Sequence, residues 1–424
     1  MSYIIPCLIG LFFVLCNKLS YKKSIIGIFI SGIIARIIFL IKTTIYDYDF
    51  DLSTHLEYIK YIFDNNKIPT TKLIEQNYSF YHPPLFHIIC AVWLKIRSLF
   101  TSNFNFEGLT PLLLIINLIT LFFIYKIIIE LIPNNKWALF VVTFIPPSIF
   151  FSHIINNDIL LFMFVFIAIY YFIKWQKNYD TKYIIITGIC CSLAMMTKYS
   201  IIILVAAFGL IGMYLIYKNN SKKAILLFKQ FCIFLVIFAT GFWYNIMNII
   251  NNVRPFLMLL PTESEDYRKA DLSKIFEINI KQLTNPFMIK NLNPETNKHE
   301  INYLFYITRT FLFEGREYEN LYWLCEIIFL LGTVLIIFGT VKLLLIKTNN
   351  LTINMFKIYV IMGYVLHIKY IIDSPFPCTF NARYIMPQLI ITLFMLFYKQ
   401  PKKYKITFKS PSITMLNKKS IFKF

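Results

Sequence analysis

Glycine and charged residues are both scarce in this sequence, and each scarcity excludes a class of protein. Only 12 of the 424 residues are glycine, and the chain has no glycine-rich loop of the kind that cradles nucleotide phosphates. Charged residues make up 15% of the chain and hydrophobic residues 58%, whereas soluble globular domains contain about 25% and about 45–50%. The composition therefore excludes an ordinary soluble protein and indicates a chain that lies in a lipid bilayer.

Acidic residues are the scarcer of the two charge types. The chain has 22 Asp and Glu against 42 Lys and Arg, which gives a formal net charge of +20. An excess of this kind can indicate a nucleic-acid partner. In a membrane protein it has a different usual cause, because Lys and Arg are retained in the cytoplasmic loops. We therefore expect no nucleic-acid partner.

The sequence also lacks a cysteine framework. Its eight cysteines fall mostly within apolar runs and show neither a disulfide pattern nor the spacing of a zinc site, so we expect them to pack as small apolar side chains. No internal repeat and no Gly/Ser linker divides the chain. We expect a single transmembrane domain over residues 1–398, followed by a basic cytoplasmic tail at 399–424.

Long apolar runs are the most prominent feature of the sequence. A helix needs about 17–25 residues to cross about 30 Å of hydrocarbon. A shorter run at 3–16 lacks a basic start and a small-residue cleavage site, so it is interpreted as a retained span rather than a signal peptide. The predicted fold is an all-α, polytopic transmembrane helical bundle of about 10–11 spans. The ten main runs are 24–41, 109–132, 136–153, 158–175, 183–198, 199–217, 224–247, 321–346, 351–372 and 383–398.

The segment 83–100 decides the topology of the bundle. If it lies flat in the headgroup region as an amphipathic helix, which Lys95 and Arg97 favour, every later Lys-rich loop falls on one side of the membrane. That side then holds 22 Lys and Arg but only Glu130 and Asp180 as acids. The outer side carries two large segments, 42–108 and 248–320, and short loops. We adopt this arrangement.

The first outer loop carries a cluster of carboxylates directly after a span. Asp47, Asp49 and Asp51 lie within five residues, and His55 follows Asp51 by one helical turn. Crowded carboxylates repel one another and raise at least one pKa, which is a feature of functional sites. The alternative is a solvated acidic loop in which Asp51 or Ser53 caps a helix.

Two further outer segments contain polar residues beside apolar helices. Tyr81 and His82 precede Pro83-Pro84, and this proline pair is typical of the start of a helix. Asp158 opens the run 158–175, where it either caps the helix or holds a carboxylate in the same cavity as Asp51.

Three cations interrupt or adjoin apolar sequence. Lys198 lies between two spans, Arg383 begins the last one, and Arg36 lies within the run 24–41. Cations near a membrane snorkel to water, pair with an acid or bind a ligand. For Arg36, either Asp51 or a lipid phosphate is the expected partner.

In order and spacing, these motifs resemble the GT-C class of integral-membrane glycosyltransferases, and within it the protein O-mannosyltransferases and the bacterial lipid A aminoarabinose transferases. The resemblance covers residues 24–398. The motifs are Asp51-x-x-x-His55, Tyr81-His82-Pro83-Pro84-Leu85, Asn157-Asp158, Thr197-Lys198 and Arg383-Tyr384-x-x-Pro387.

The resemblance implies transfer of a sugar from a polyprenyl- or dolichyl-phosphate donor, with inversion, on the outer or lumenal face. It implies a base in the first outer loop, for which Asp51 fits best and Asp49 and Asp47 are alternates. Asp158 would orient hydroxyls or share a metal, and Lys198 and Arg383 would bind the donor phosphate. The remaining candidate substrate-binding residues are His55, His82 and Tyr384.

The resemblance leaves several properties open. Some GT-C branches bind a divalent metal, for which His55, His82 and His299 could be ligands, although their spacing is no recognisable metal signature. The acceptor is a protein, a lipid or a glycan, and the membrane is a bacterial inner membrane or the endoplasmic reticulum. The alternative functions are a lipid or solute transporter or flippase and a polymerase of surface polysaccharide.

Overall fold

The computed structural model describes residues 4–47, 51–69, 73, 80, 82–101, 104–251, 268–278, 280–287, 291–293, 296–314 and 321–399. Most of these residues are α-helical, and the described part of the chain contains one short antiparallel hairpin. The predicted all-α class is therefore confirmed. Asp49, Tyr81 and nearly all of the predicted basic tail lie outside the described residues.

The elements are numbered in chain order. The helices are α1 Ile4–Leu15, α2 Tyr21–Lys42, α3 Leu52–Asn65, α4 Leu85–Ser98, α5 Thr110–Leu131, α6 Lys136–Phe144, α7 Pro146–Phe150, α8 Asp158–Asn178, α9 Thr181–Met195, α10 Ile202–Lys218, α11 Ser221–Ala239, α12 Trp243–Ile250, α13 Ile280–Thr284, α14 Tyr303–Phe313, α15 Tyr322–Leu345, α16 Leu351–Asp373 and α17 Met386–Met395, and the strands are β1 Asn291–Asn293 and β2 Lys298–Glu300.

Seven helical segments among the described residues are long and apolar enough to cross a membrane. The chain is therefore an integral, multi-pass membrane protein. The spanning segments are Tyr21–Lys42, Phe106–Leu131, Asp158–Asn178, Tyr199–Lys218, Ser221–Ile250, Tyr322–Leu345 and Leu351–Asp373.

Four of the predicted runs form helices shorter than a full span. The run 136–153 is interrupted at Ile145, whose extended backbone precedes Pro146 and separates α6 from α7, because a residue before proline is disfavoured in the helical conformation. The helices α1, α9 and α17 contain 12, 15 and 10 residues. Within the described ranges, seven of the ten or eleven predicted spans are therefore full-length helices.

The topology-deciding segment 83–100 forms α4, a helix of 14 residues. A helix of that length extends about 21 Å, which is shorter than the hydrocarbon layer of about 30 Å. Its length agrees with the predicted interfacial helix, while its orientation to the membrane stays a prediction.

All eight cysteines are free. Cys90, Cys190, Cys191 and Cys325 are buried within helices, as expected of small apolar packing residues.

Arg36 on α2 is fully buried, and its partners are not the predicted ones. It donates hydrogen bonds to Asn117 Oδ1 at 2.7 Å, to the carbonyl of Ser148 at 2.7 Å and to the carbonyl of Gly32 at 2.9 Å. The prediction that Asp51 is its partner was wrong, because Asp51 pairs with another arginine. A lipid phosphate was also wrong, because the Arg36 side chain is completely buried in the protein. The arginine instead ties α2 to α5 and α7.

Replacing Asn117 by Leu is expected to lower the stability of the folded protein. The Nε–H of Arg36 would then lose its acceptor inside the bundle, and an unsatisfied buried donor costs about 1–3 kcal/mol. The measurement is the melting temperature of the detergent-solubilised protein. Thr120→Val is the matched control, because Thr120 lies one turn away on α5 and its hydroxyl bonds only the backbone of its own helix, at Ile116. Equal melting temperatures for the two variants would contradict the expectation.

Candidate active site

Asp51 stands at the start of α3, but it does not act as the predicted helix cap. Its backbone is left-handed, with φ of 53°, and its side chain makes no capping bond. Its Oδ2 instead accepts a hydrogen bond from Nη2 of Arg383 at 2.7 Å. His55 lies one turn along the same helix, as predicted, and its N–H bonds the carbonyl of Asp51.

The Asp51 carboxyl is held in its ionised form. Partial burial opposes ionisation, but the charge and the hydrogen bond of Arg383 outweigh it and lower the pKa of Asp51 to about 2. The side chain remains 43% exposed. At neutral pH the site therefore presents an accessible carboxylate beside a buried guanidinium.

Asp158 forms a second ion pair. It is the first residue of α8, and the capping position belongs to Asn157, so the predicted cap by Asp158 is wrong. Its Oδ1 accepts from Nζ of Lys198 at 2.7 Å, and its side chain is 1% exposed. The turn that carries Lys198 is fixed by hydrogen bonds from Leu85 N–H at the start of α4 to Met196 O and from Asn157 Nδ2 to Thr197 O.

Tyr384 joins the two ion pairs. Its ring centroid lies 5.2 Å from the guanidinium carbon of Arg383 and 5.0 Å from Nζ of Lys198, and both contacts are of the cation–π type. Segments that are far apart in sequence thus bring Asp51, Asp158, Lys198 and Arg383 to one place. The structure therefore shows that these four side chains lie close together, while the role of each one in catalysis stays a prediction.

Three histidines stack on one another next to Asp51. His55 Nδ1 and His87 Nε2 are 2.9 Å apart, which is a hydrogen bond between neutral rings, and the ring of His55 stacks on those of His82 and His87. Burial, followed by the charge of Lys198, lowers the pKa of His82 to about 3. Burial also lowers the pKa of both His55 and His87 well below the ordinary value. All three are therefore neutral at pH 7.

Stability is expected to fall as the pH drops below about 6.5, the ordinary histidine pKa. A buried neutral histidine has a lower pKa in the folded than in the unfolded chain, so the unfolded chain binds the proton first. Each such histidine can remove up to about 1.4 kcal/mol per pH unit. Melting temperatures measured from pH 7 to pH 4.5 test this. His87→Phe removes one of these groups, so its melting temperature should depend less steeply on pH, and an unchanged slope would contradict the expectation.

A half-open cavity of about 270 Å³ adjoins the ion pairs. Lys198, Tyr384 and His82 form its polar end, and most of the remaining lining is apolar. The lining residues are His82, Pro83, Lys198, Tyr199, Ser200, Ile202, Ile203, Gly363, Leu366, His367, Tyr370 and Tyr384.

Of the three candidate metal ligands, His55 and His82 lie together, whereas His299 lies in another part of the structure. Within the described ranges, no group of three His, Cys, Asp or Glu residues is arranged to hold a metal ion. His299 lies in β2 and pairs through its backbone with Lys269, Asp271 and Leu292. Asp47, an alternate base, accepts a hydrogen bond from Thr44 N–H and so caps its own turn.

Two residues near the site were missed by the sequence analysis. His87 lies in the apolar helix α4, and Glu314 directly follows the apolar helix α14. Burial raises the pKa of Glu314 to about 8; the charge of Arg383 opposes this shift, and that of Asp158 adds to it. In both cases, a single polar residue within or beside an apolar helix was the available signal.

Comparisons with known proteins agree with the motif resemblance. The family model for dolichyl-phosphate-mannose-protein mannosyltransferase matches residues 81–244, a range that includes His82, Asp158 and Lys198 but neither Asp51 nor Arg383. This match confirms the resemblance to that family and supports a membrane glycosyltransferase, although it covers less than half of the chain.

Other comparisons are weaker. No curated protein matches the chain. Among solved structures, the crystal structure of ArnT from Cupriavidus metallidurans in the apo state is similar at 11% sequence identity, over 81% of this chain and 71% of that chain, with a TM-score of 0.39.

Proposed function

We propose that this chain transfers a sugar from a polyprenyl- or dolichyl-phosphate donor to a hydroxyl acceptor on the outer or lumenal face of the membrane, with inversion at the anomeric carbon. The observation that carries the proposal is the convergence of two ion pairs, Asp51 with Arg383 and Asp158 with Lys198, on the ring of Tyr384. The first pair joins residues 332 positions apart.

The cavity beside these pairs suits the donor. Its apolar walls, which include Ile203 and Leu366, accept the first isoprene units, and its open side lets the rest of the lipid extend into the bilayer. The phosphate then lies at the polar end, against Lys198 and Arg383. A guanidinium suits this role because it can bind two phosphate oxygens at once.

The reaction needs a base and a positively charged site for the leaving group. Asp51 takes the proton of the acceptor hydroxyl as that oxygen bonds to the anomeric carbon, and the bond from this carbon to the phosphate oxygen breaks. The phosphate leaves as a stable anion, so no general acid is required. Lys198 and Arg383 stabilise the charge that develops on it.

Arg383 links donor binding to the basicity of Asp51. Without donor, its charge keeps the pKa of Asp51 at about 2, which makes the carboxylate a weak proton acceptor. When Arg383 turns to the donor phosphate, its lowering effect on Asp51 is lost and the pKa of Asp51 rises. The carboxylate therefore becomes a better base once the donor is bound.

Asp158 has a supporting role in the reaction, and we assign the whole site to the single transmembrane domain. It holds Lys198 toward the phosphate and presents its second oxygen, Oδ2, to the substrates. The acceptor is a protein, lipid or glycan hydroxyl at the same membrane face.

The test is an assay in membranes with a radiolabelled polyprenyl-phosphate sugar. Membranes that contain the wild-type protein should form a new glycosidic product, and membranes with the double variant Asp51→Asn/Asp158→Asn should not. Equal product in both would contradict the proposal. Movement of labelled lipid across the membrane without a new glycosidic bond would instead support a transporter.

A further inference from the structure

Glu314 is a buried acid that the proposed reaction does not use. Its side chain is 2% exposed, and among the described residues its Oε2 has no hydrogen-bond partner. Buried polar groups without partners are uncommon, and each calls for an explanation. One such explanation is that the carboxyl group binds a ligand.

Glu314 lies close to the proposed site. It follows α14, and this helix contacts the turn that carries Arg383, because Thr310 Oγ1 accepts a hydrogen bond from the N–H of Ala382 at 2.9 Å. Its carboxyl lies within electrostatic range of both Arg383 and Asp158. Glu314 therefore lies on an element that contacts the turn of Arg383, and its carboxyl is close enough to one member of each ion pair to interact with it electrostatically.

The local backbone gives no reason for a glutamate at this position. Glu314 has φ of 58°, a left-handed conformation that glycine adopts more readily, and glycine is the next residue in the sequence. An acid at the C-terminus of a helix also opposes the helix dipole. Residues held in such unfavourable conformations cluster at functional sites.

A second carboxyl oxygen nearby also lacks a donor. Asp158 Oδ1 is bound by Lys198, but Oδ2 is buried without a hydrogen-bond partner among the described residues. Two carboxyl groups that interact electrostatically, each with an oxygen that has no donor among the described residues, fit a ligand that carries hydroxyl groups.

We propose that Glu314, together with Asp158, binds hydroxyl groups of the sugar that is transferred. The inference rests on the proposed function and adds to it the residues that recognise the sugar itself. A phosphate would need cations, which Arg383 and Lys198 already supply. A metal ion between the two acids would be repelled by these same cations.

The test uses the full-length protein and a polyprenyl-phosphate hexose that the wild type accepts. Glu314→Gly removes the side chain and also relieves the left-handed backbone, so this variant should fold as well as the wild type. We expect its kcat/KM for the donor to fall by about 10–100-fold, the cost of a lost buried hydrogen bond. Glu314→Gln, which can still donate and accept, should recover most of that loss.

Inhibition by sugar-free polyprenyl phosphate separates sugar recognition from phosphate binding. Its inhibition constant should be the same in wild type and Glu314→Gly, because this probe carries no sugar hydroxyl groups for Glu314 to bind. An equal weakening of both donor and inhibitor would overturn the proposal in favour of a phosphate ligand. Full activity of Glu314→Gly would overturn the proposal, because Glu314 would then not bind the sugar. Loss of wild-type activity when divalent metals are chelated would also overturn it, in favour of a metal ligand.

The matched control is Glu277→Gln, since Glu277 is an exposed acid in the same outer segment and pairs with Lys274. It should behave as the wild type does. If wild type and Glu277→Gln both fail to transfer any sugar, the proposed function itself is wrong, whereas a failure confined to the Glu314 comparison concerns this inference alone.

Discussion

Replacement of Asp51 by Asn is expected to lower the rate of sugar transfer by about 10²–10⁴-fold, the usual contribution of a positioned general base. The amide oxygen of Asn can still accept the hydrogen bond of Arg383, so the geometry of the pair is kept while the basic group is lost. The donor should therefore still bind. The measurements are the single-turnover transfer rate and the inhibition constant of sugar-free polyprenyl phosphate.

Asp47→Asn is the comparison that locates the base within the acidic cluster. Asp47 is exposed and caps its own turn through Thr44, so its replacement should leave the transfer rate within a few-fold of wild type. A large loss in Asp47→Asn together with a normal rate in Asp51→Asn would reverse the assignment. Normal transfer rates in both variants would show that neither carboxylate is the base.

The membrane architecture could be predicted from the sequence because lipid imposes a simple requirement on composition. A span must be long and apolar, and Lys and Arg mark its cytoplasmic end. Contacts in the structure agree with that division. Glu130 pairs with Lys174 and Lys177 at the predicted cytoplasmic end, and Lys136 there donates to the carbonyl of Cys16. The proposed site lies among residues predicted to be at the opposite end.

The particular partners could not be predicted, because hydrophobic periodicity does not specify which helices are neighbours. Arg36 was expected to need a charged partner, whereas an amide and backbone carbonyls satisfy it. Asp51 and Arg383 were both selected as candidates, but nothing in their local sequence indicates that they pair. Glu314 was not noticed, because an acid after a helix is ordinarily exposed and only the packing around α14 buries it.

Arg383→Gln is expected to lower kcat/KM for the donor by about 10–150-fold, which corresponds to about 1.5–3 kcal/mol for a hydrogen bond to a charged group. The Arg383 side chain is 7% exposed, and its guanidinium lies against both Asp51 and Tyr384. Arg383→Lys keeps the charge but loses the paired donors, so its kcat/KM should lie between those of the wild type and Arg383→Gln. Lys369→Gln is the control, since Lys369 is an exposed cation paired with Asp373 on α16.

The same substitution should also change the pH dependence of the reaction. In wild type the pKa of Asp51 is about 2, so kcat/KM, which reports the free enzyme, should show no acid limb between pH 5 and pH 8. Without Arg383, partial burial is the largest remaining cause, and it acts to raise the pKa of Asp51. More of the carboxyl is then protonated at pH 5, and the rate of Arg383→Gln should fall toward acid pH. Arg383→Lys retains the charge and should stay flat, as the wild type does. A flat profile for Arg383→Gln would mean that the protonation of Asp51 does not control transfer, and the base would then have to be sought elsewhere in the first outer loop.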